Sequence, residues 1–176
     1  SFIIRELGDY TKALHKLNIG QTIFVDGPYG CMSLERSRTA QGITLIAGGA
    51  GIAPMMGLLR ELAKQSDPRS IRLLYGNQSI QKMVCLDELM SLEKSMKNFK
   101  LVLLCEQTEN CPETLQPFVK QGFIEKEEIQ QSIESDLNHQ PLTQDWTVYL
   151  SGPKGMISAT NQHLKEIGIT ANHIHF

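Results

Sequence analysis

The sequence predicts an α/β fold: an open parallel sheet of five strands with helices on both faces. Two observations carry this. From Ile43 onward, short apolar runs alternate with helical-period segments of ten or more residues, the rhythm of a parallel sheet covered on both sides. Two of these runs end in glycine, "LIAGGAGIAP" at 45–54 and "YLSGPKGM" at 149–156, and each glycine turn opens directly into a helical pattern. Hydrophobic residues make up 41% of the chain, as in an ordinary folded domain, and no apolar run reaches the roughly 18 residues of a membrane span.

Taken in order, "FIIREL" (2–7) alternates like a strand and is punctuated by Gly8-Asp9-Tyr10-Thr11. "YTKALHKL" (10–17) predicts a short helix with Leu14 and Leu17 on one face, stopped by Asn18 and Gly20. "QTIFVDG" (21–27) predicts a second strand closed by the turn "GPYG" (27–30), and the polar "LERSRTAQG" (34–42) predicts a linker. The sheet strands are expected at 43–47, 70–75, 99–105, 146–151 and 172–175, with helices near 54–65, 85–95 and 154–167. The polar, acidic span 106–144, with a helix around 126–136, is expected as an insertion at the sheet's edge. The chain opens on "SFIIREL", already strand-like, which we take as a piece of a longer protein.

Charge and composition exclude several functions. Asp and Glu number 19 against 17 Lys and Arg, the net charge is −2, and no basic run stands out, so no nucleic-acid partner is expected. Cys31, Cys85, Cys105 and Cys111 contain no C-x-x-C pair and are expected as free thiols. His173 and His175 would share one face of a strand, but no third ligand lies near them in sequence, so no metal site is expected.

The glycine loops carry the chemistry. Ligands of open parallel sheets bind beyond the carboxyl ends of the strands, where Ala47 to Gly51 is placed. A helix beginning near Pro54 would aim its unpaired amides and its dipole at an anion there, and glycine lets a phosphate reach the main chain. A tight turn with close helix–strand packing would need the same glycines, and the loop alone leaves both readings open. A phosphate loop of the Gly-Lys-Ser/Thr kind is excluded because Gly51 is followed by Ile52-Ala53, and G-x-G-x-x-G is absent. No acid ends the second strand, which closes as "LLYGNQS", so Asn77, Gln78 or Ser79 would have to hold a ribose. With the second glycine loop at 151–156, the site suits an extended phosphorylated ligand such as a dinucleotide.

These motifs in this order resemble the ferredoxin–NADP reductase superfamily, flavoproteins that pass hydride between NAD(P)H and FAD. "GGAGIAP" is similar to the family's pyrophosphate loop. "SGPKGM" is similar to its C-G-P-x-x-M nicotinamide motif, with Ser151 where cysteine is usual. "GDYT" resembles the motif that holds the FAD pyrophosphate, and "GPYG" the turn closing the flavin barrel. The spacing most resembles the ferric reductase and NADPH oxidase branch. The resemblance implies a Rossmann-like NAD(P)-binding domain over 39–176, preceded by the C-terminal remnant of an FAD-binding β-barrel and a linker over 1–38. It implies that Gly48, Gly49, Ala50, Gly51, Ile52 and Pro54 form the pyrophosphate loop, and that Gly76, Asn77, Gln78 and Ser79 flank the adenosine ribose. It implies that Ser151, Gly152, Pro153 and Met156 border the nicotinamide, Ser151 at the catalytic position, and that Gly8, Asp9, Tyr10 and Thr11 contact FAD. Gln78 stands where NADPH-using relatives often have Arg, and the nearest base is Lys82, so NADH is the expected donor. The expected partners are the rest of the FAD barrel and a haem-bearing membrane domain in the same parent chain, on the cytoplasmic side.

Overall fold

The computed structural model describes residues 2–4, 6–27, 30, 32–134 and 145–176, in two compact units, Ser1–Cys31 and Met32–Phe176. The first unit contains one helix, α1 (Asp9–Ala13), continued by a 3₁₀ turn at Leu14–Lys16. The Thr11 hydroxyl accepts hydrogen bonds from the backbone N–H of Leu7 (2.9 Å) and Gly8 (3.1 Å), which fixes the entry to this helix. Among the described residues, the strands expected at 2–7 and 21–27 do not form. A strand needs a ladder partner, and these segments have none among the described residues: Phe2, Ile4, Leu7, Ile23, Phe24 and Val25 all stand exposed. In the turn expected at 27–30, Gly27 and Gly30 adopt positive φ, while Pro28 and Tyr29 lie outside the described residues.

The second unit begins seven residues ahead of the expected boundary at 38/39, so the polar segment expected as a linker packs with it. Its elements are β1 (Gly42–Gly48), α2 (Ile52–Lys64), β2 (Ser70–Ser79), α3 (Leu86–Ser95), β3 (Phe99–Gln107), β4 (Val119–Gln121), α4 (Lys126–Glu134), β5 (Trp146–Ser151), α5 (Lys154–Glu166) and β6 (Ile174–His175). The strands form one parallel sheet in the order β4-β3-β2-β1-β5-β6. The chain builds outward from β1 to β4, then returns to the other side of β1 for β5. The carboxyl ends of β1 and β5 therefore flank the point where the winding reverses, the place where such sheets bind ligands.

Four expectations are corrected. The sheet has six strands rather than five, because the expected insertion supplies β4 beside β3, with Leu103 opposite Val119. The same segment sends Ile124, Ile129 and Ile133 into the core with Ile46, Leu74 and Leu164, so it completes the domain as well as lying at its edge. Residues 135 and 136 of the expected helix lie outside the described residues. β2 continues through the expected turn to Ser79, held by pairing of Asn77 with Cys105 and Ser79 with Gln107. The last strand is only two residues long, preceded by a 3₁₀ turn at Ala171–His173.

β1 is buried along its whole length, as a central parallel strand must be. Two polar groups in the core are satisfied. Trp146 donates its ring N–H to Thr44 Oγ1 at 2.8 Å. Arg72, 3% exposed, donates to the carbonyls of Ile71 (2.7 Å), Asn98 (3.2 Å) and Ser132 in α4 (3.2 Å). Burial pushes the Arg72 guanidinium down to about 10, which still leaves it charged at neutral pH. At the amino end of β2, Asp67 pairs with Arg69 at 2.6 Å.

A β-carbon on Gly42 would lie 2.4 Å from the Trp146 ring. Gly42→Ala is expected to cost about 1–3 kcal/mol in urea unfolding, because a rigid, hydrogen-bonded indole must move. The hydrogen bond from Arg69 holds the Asp67 carboxyl below the usual carboxylate range, against the opposing effect of burial. The stabilisation from a carboxyl lowered in this way is complete above its unfolded pKa and is lost as pH falls through its folded value. Asp67→Asn should therefore lower the melting temperature at pH 7 and flatten its fall between about pH 5 and pH 3, measured by thermal melts.

Candidate functional site

The site lies at the carboxyl ends of β1, β2 and β5. β1 stops at Gly48, Gly49–Gly51 makes one 3₁₀ turn, and α2 starts at Ile52, two residues before the expected Pro54. Pro54 lies in the first turn of α2, where its missing N–H wastes no intrahelical bond. Register places Ala47 beside Ser151 and Gly48 beside Gly76, so all three predicted loops emerge at one level.

The glycines divide the two roles that the loop sequence left open. A β-carbon on Gly51 would stand 2.2 Å from the Ser151 carbonyl oxygen. One on Gly152 would stand 2.6 Å from Met156 Cε and 3.1 Å from the Gly48 backbone, and one on Gly48 would stand 2.4 Å from Met156 Sδ. These three glycines are packing residues that let two loops touch main chain to main chain, with the Met156 thioether filling the gap. Gly49 is different. Its φ is +53° and nothing lies within 4 Å of where its β-carbon would be. It faces open space immediately before the amino end of α2, whose first amides have no intrahelical acceptor. A phosphate would fit at that position.

At the end of β2, Gly76 lies under Ile124, whose Cδ1 would be 3.0 Å from a β-carbon there. Ile124 is a residue that sequence reasoning missed; its signal is an apolar pair, Phe123-Ile124, set inside a polar span. Asn77 Nδ2 donates to the Lys82 carbonyl at 2.8 Å, while its Oδ1 accepts the Gln78 N–H at 2.9 Å. Gln78 is exposed, and its Oε1 accepts from Lys82 Nζ. Ser79 is buried within the sheet ladder and Gly76 and Asn77 are half-buried, so of the four residues expected at a ribose, Gln78 is the exposed one. The Tyr75 hydroxyl accepts from the Val84 N–H at 3.3 Å and closes this loop from beneath; burial raises the phenol pKa.

Ser151 is half-buried, and its hydroxyl makes no hydrogen bond among the described residues. It does not cap α5, whose N-cap position is Pro153. Gly8, Asp9, Tyr10 and Thr11 belong to the first unit, where Tyr10 is 81% exposed.

The contrast between the glycines is testable. Gly51→Ala is expected to cost about 3 kcal/mol or more, because a backbone carbonyl cannot yield to the added carbon. Gly49→Ala should cost about 1–2 kcal/mol from its left-handed conformation alone, and Gly49→Asn less, because asparagine tolerates that conformation. Denaturant unfolding of the three variants orders them.

Residues 45–162 match the family described as "Oxidoreductase NAD-binding domain". The chain is 36% identical over 98 residues to the reductase component of propane 2-monooxygenase from Gordonia sp. (strain TY-5), covering 55% of this chain and 28% of that protein. It is 26% identical over 170 residues to a flavohemoprotein from Oceanobacillus iheyensis, covering 96% of this chain and 39% of that one. It thus spans well under half the length of these relatives. Among solved structures, a ferredoxin NADP+ reductase from Neisseria gonorrhoeae with bound FAD and NADP superposes with a TM-score of 0.73 at 22% identity, over 93% of this chain and 64% of that one. The chain belongs to the oxidoreductase NAD-binding domain family, and its fold is that of the ferredoxin–NADP reductase superfamily.

Proposed function

We propose that the chain is the NAD(P)H-binding module of a flavin-dependent oxidoreductase. The longer protein would pass hydride from NAD(P)H to FAD and electrons onward to an acceptor such as haem, ferric iron or oxygen. One observation carries the reading. Gly49 stands open, in a left-handed turn, between the end of the central strand and the start of α2, at the point where the winding of the sheet reverses. The family match over 45–162 supports it.

In this reading the nicotinamide supplies the hydride and the flavin accepts it, and the chain holds, orients and excludes water. The turn from Gly48 through Gly49, Ala50 and Gly51 to Ile52 receives the pyrophosphate. Asn77 and Gln78, beside Gly76, flank the adenosine ribose. Ser151, Gly152, Pro153 and Met156 border the nicotinamide, and the close seating of Gly51 on the Ser151 carbonyl sets the distance between the two subsites. Gly8, Asp9, Tyr10 and Thr11 contact FAD, in a first unit that is the final part of its barrel. NADH is the preferred donor, because Gln78 offers an uncharged amide where a 2′-phosphate would need a fixed cation, and the ammonium of Lys82 beside it is taken up by the Gln78 amide oxygen. A haem-bearing domain in the same longer chain is one acceptor in keeping with the flavohemoprotein relative. Among the described residues no helix is long and apolar enough to cross a membrane.

A second reading, a reductase component that serves an iron–sulfur protein or an oxygenase, is in keeping with the propane 2-monooxygenase relative. A ferredoxin-type cysteine cluster elsewhere in the full gene would distinguish it.

Titration calorimetry with NADH and NADPH tests binding. Wild type is expected to bind, and Gly49→Val to lose binding, because a β-branched side chain would fill the open space. Equal affinity in both overturns the site. Stopped-flow reduction of the flavin in the full-length protein tests the chemistry. Ser151→Cys is expected to raise the rate with little change in nucleotide affinity, the signature of positioning in the transition state. A wild-type protein that binds nucleotide and never reduces its flavin overturns the enzyme reading in favour of a regulatory module.

A further inference from the structure

Burial separates the methionines of this chain into two groups. Met55, Met56, Met83 and Met96 are buried in the core. Met32, Met90 and Met156 are half-buried and keep part of their surface open. Met90 lies on α3 and Met32 at the start of the second unit, whereas Met156 stands in the seam between the two glycine loops. A β-carbon on Gly48 would lie 2.4 Å from its Sδ, and one on Gly152 would lie 2.6 Å from its Cε. Met156 belongs to the first turn of α5 and packs on the core cluster beneath. One thioether thus touches the end of β1, the loop after β5 and the start of α5. The residue after Gly48 is Gly49, the open position proposed to receive the pyrophosphate.

A thioether suits this place because it is narrow, apolar and polarizable. The same group is open to a mild oxidant. We infer that Met156 is a modification site: its oxidation to the sulfoxide by a peroxide loosens the seam and weakens dinucleotide binding, and reduction of the sulfoxide restores it. The inference rests on the function proposed above and adds reversible control of the same site. In the reaction a sulfur lone pair attacks one oxygen of hydrogen peroxide. An S–O bond forms, the O–O bond breaks, and the second oxygen leaves as water with both protons. The sulfur loses two electrons and the peroxide gains them.

Size and polarity set the consequence. The seam cannot take one further carbon at Gly48, so it has no room on that side for an oxygen carried by the sulfur. In either epimer the side chain turns from apolar to polar where it rests against core residues. The packing that holds Gly48 against Gly152 then loosens, and Gly49 shifts with its neighbour. Every residue in this chain of contacts lies in the second unit.

The test uses the full-length flavin-loaded protein. Native protein is treated with hydrogen peroxide, catalase removes the excess, and mass spectrometry reads the sulfoxide at each methionine. The dissociation constant for NADH is taken from the concentration dependence of flavin reduction in stopped flow. Met156 is expected to oxidise before Met55 and Met56. The dissociation constant is expected to rise about tenfold, the scale of one buried polar group left without a partner. The two sulfoxide reductases, one for each epimer, should restore it, and dithiothreitol should not, because a thiol reagent reverses cysteine oxidation only. In Met156→Leu, which keeps an apolar side chain of similar volume, peroxide should change the constant no further, whatever value it starts from. The reductase comparison needs no variant and stands if this one fails to fold. Oxidation of Met156 without weaker binding overturns the inference, as does a Met156 that resists peroxide as long as Met55 and Met56 do. Recovery with dithiothreitol, or the same loss in Met156→Leu, also overturns it, because either places the effect on another residue. Each of these results leaves the proposed function standing. A flavin that no nucleotide reduces in the untreated protein overturns the proposed function, and this inference with it.

Discussion

The approach of Gly51 to the Ser151 carbonyl is the contact on which the site depends. The two residues are 100 positions apart, yet a single added carbon at Gly51 would lie 2.2 Å from that oxygen. Backbone can come this close to backbone only where side chains are missing. The loops after β1 and β5 therefore form one unit: Gly48, Gly51 and Gly152 make the seam, Met156 fills it, and Gly49 is left to face outward. The parallel register of β1 and β5 makes the contact possible, since it brings Ala47 level with Ser151. The strand order follows from the same requirement, because a sheet wound in one direction only would separate these two ends.

Much of this was legible in the sequence, for a local reason. Strand, glycine turn and helix follow one another within about twenty residues at 43–62 and again at 146–160, so period and punctuation report them directly. The division of labour among the glycines was not legible. It depends on what each one meets across the fold, and Gly49 and Gly51 read alike until Ser151 stands next to one of them. β4 was missed because three residues give no alternation to detect. The extension of β2 through "GNQS" was missed because turn-forming residues there are overruled by pairing with β3. At 2–7 and 21–27 the alternation is real, but alternation predicts a face to be buried rather than the partner that buries it.

The segment expected to be peripheral turns out to tie the domain together. Ile124 covers Gly76 beside the proposed ribose subsite, Ile129 and Ile133 enter the core from α4, and Arg72 reaches out of β2 to the Ser132 carbonyl near the end of that helix. A buried cation at a helix carboxyl end meets the negative end of the helix dipole, which helps explain how the sheet tolerates it. Lys126 and Glu166 join α4 to α5 at 3.2 Å on the surface, where exposure keeps the pair weak. The apolar residues and the guanidinium, rather than the surface ions, hold this helix in place.

The two outermost strands are the shortest: β4 has three residues and β6 has two, against six to ten in the four strands between them. An unpaired row of amides and carbonyls is a template on which another chain can add itself. Each of these rows is brief, and Lys120 places a charge in the middle of one of them, so β4 gives an incoming strand little length to pair with. The proposed nucleotide site stands apart from both edges, at the tips of β1, β2 and β5.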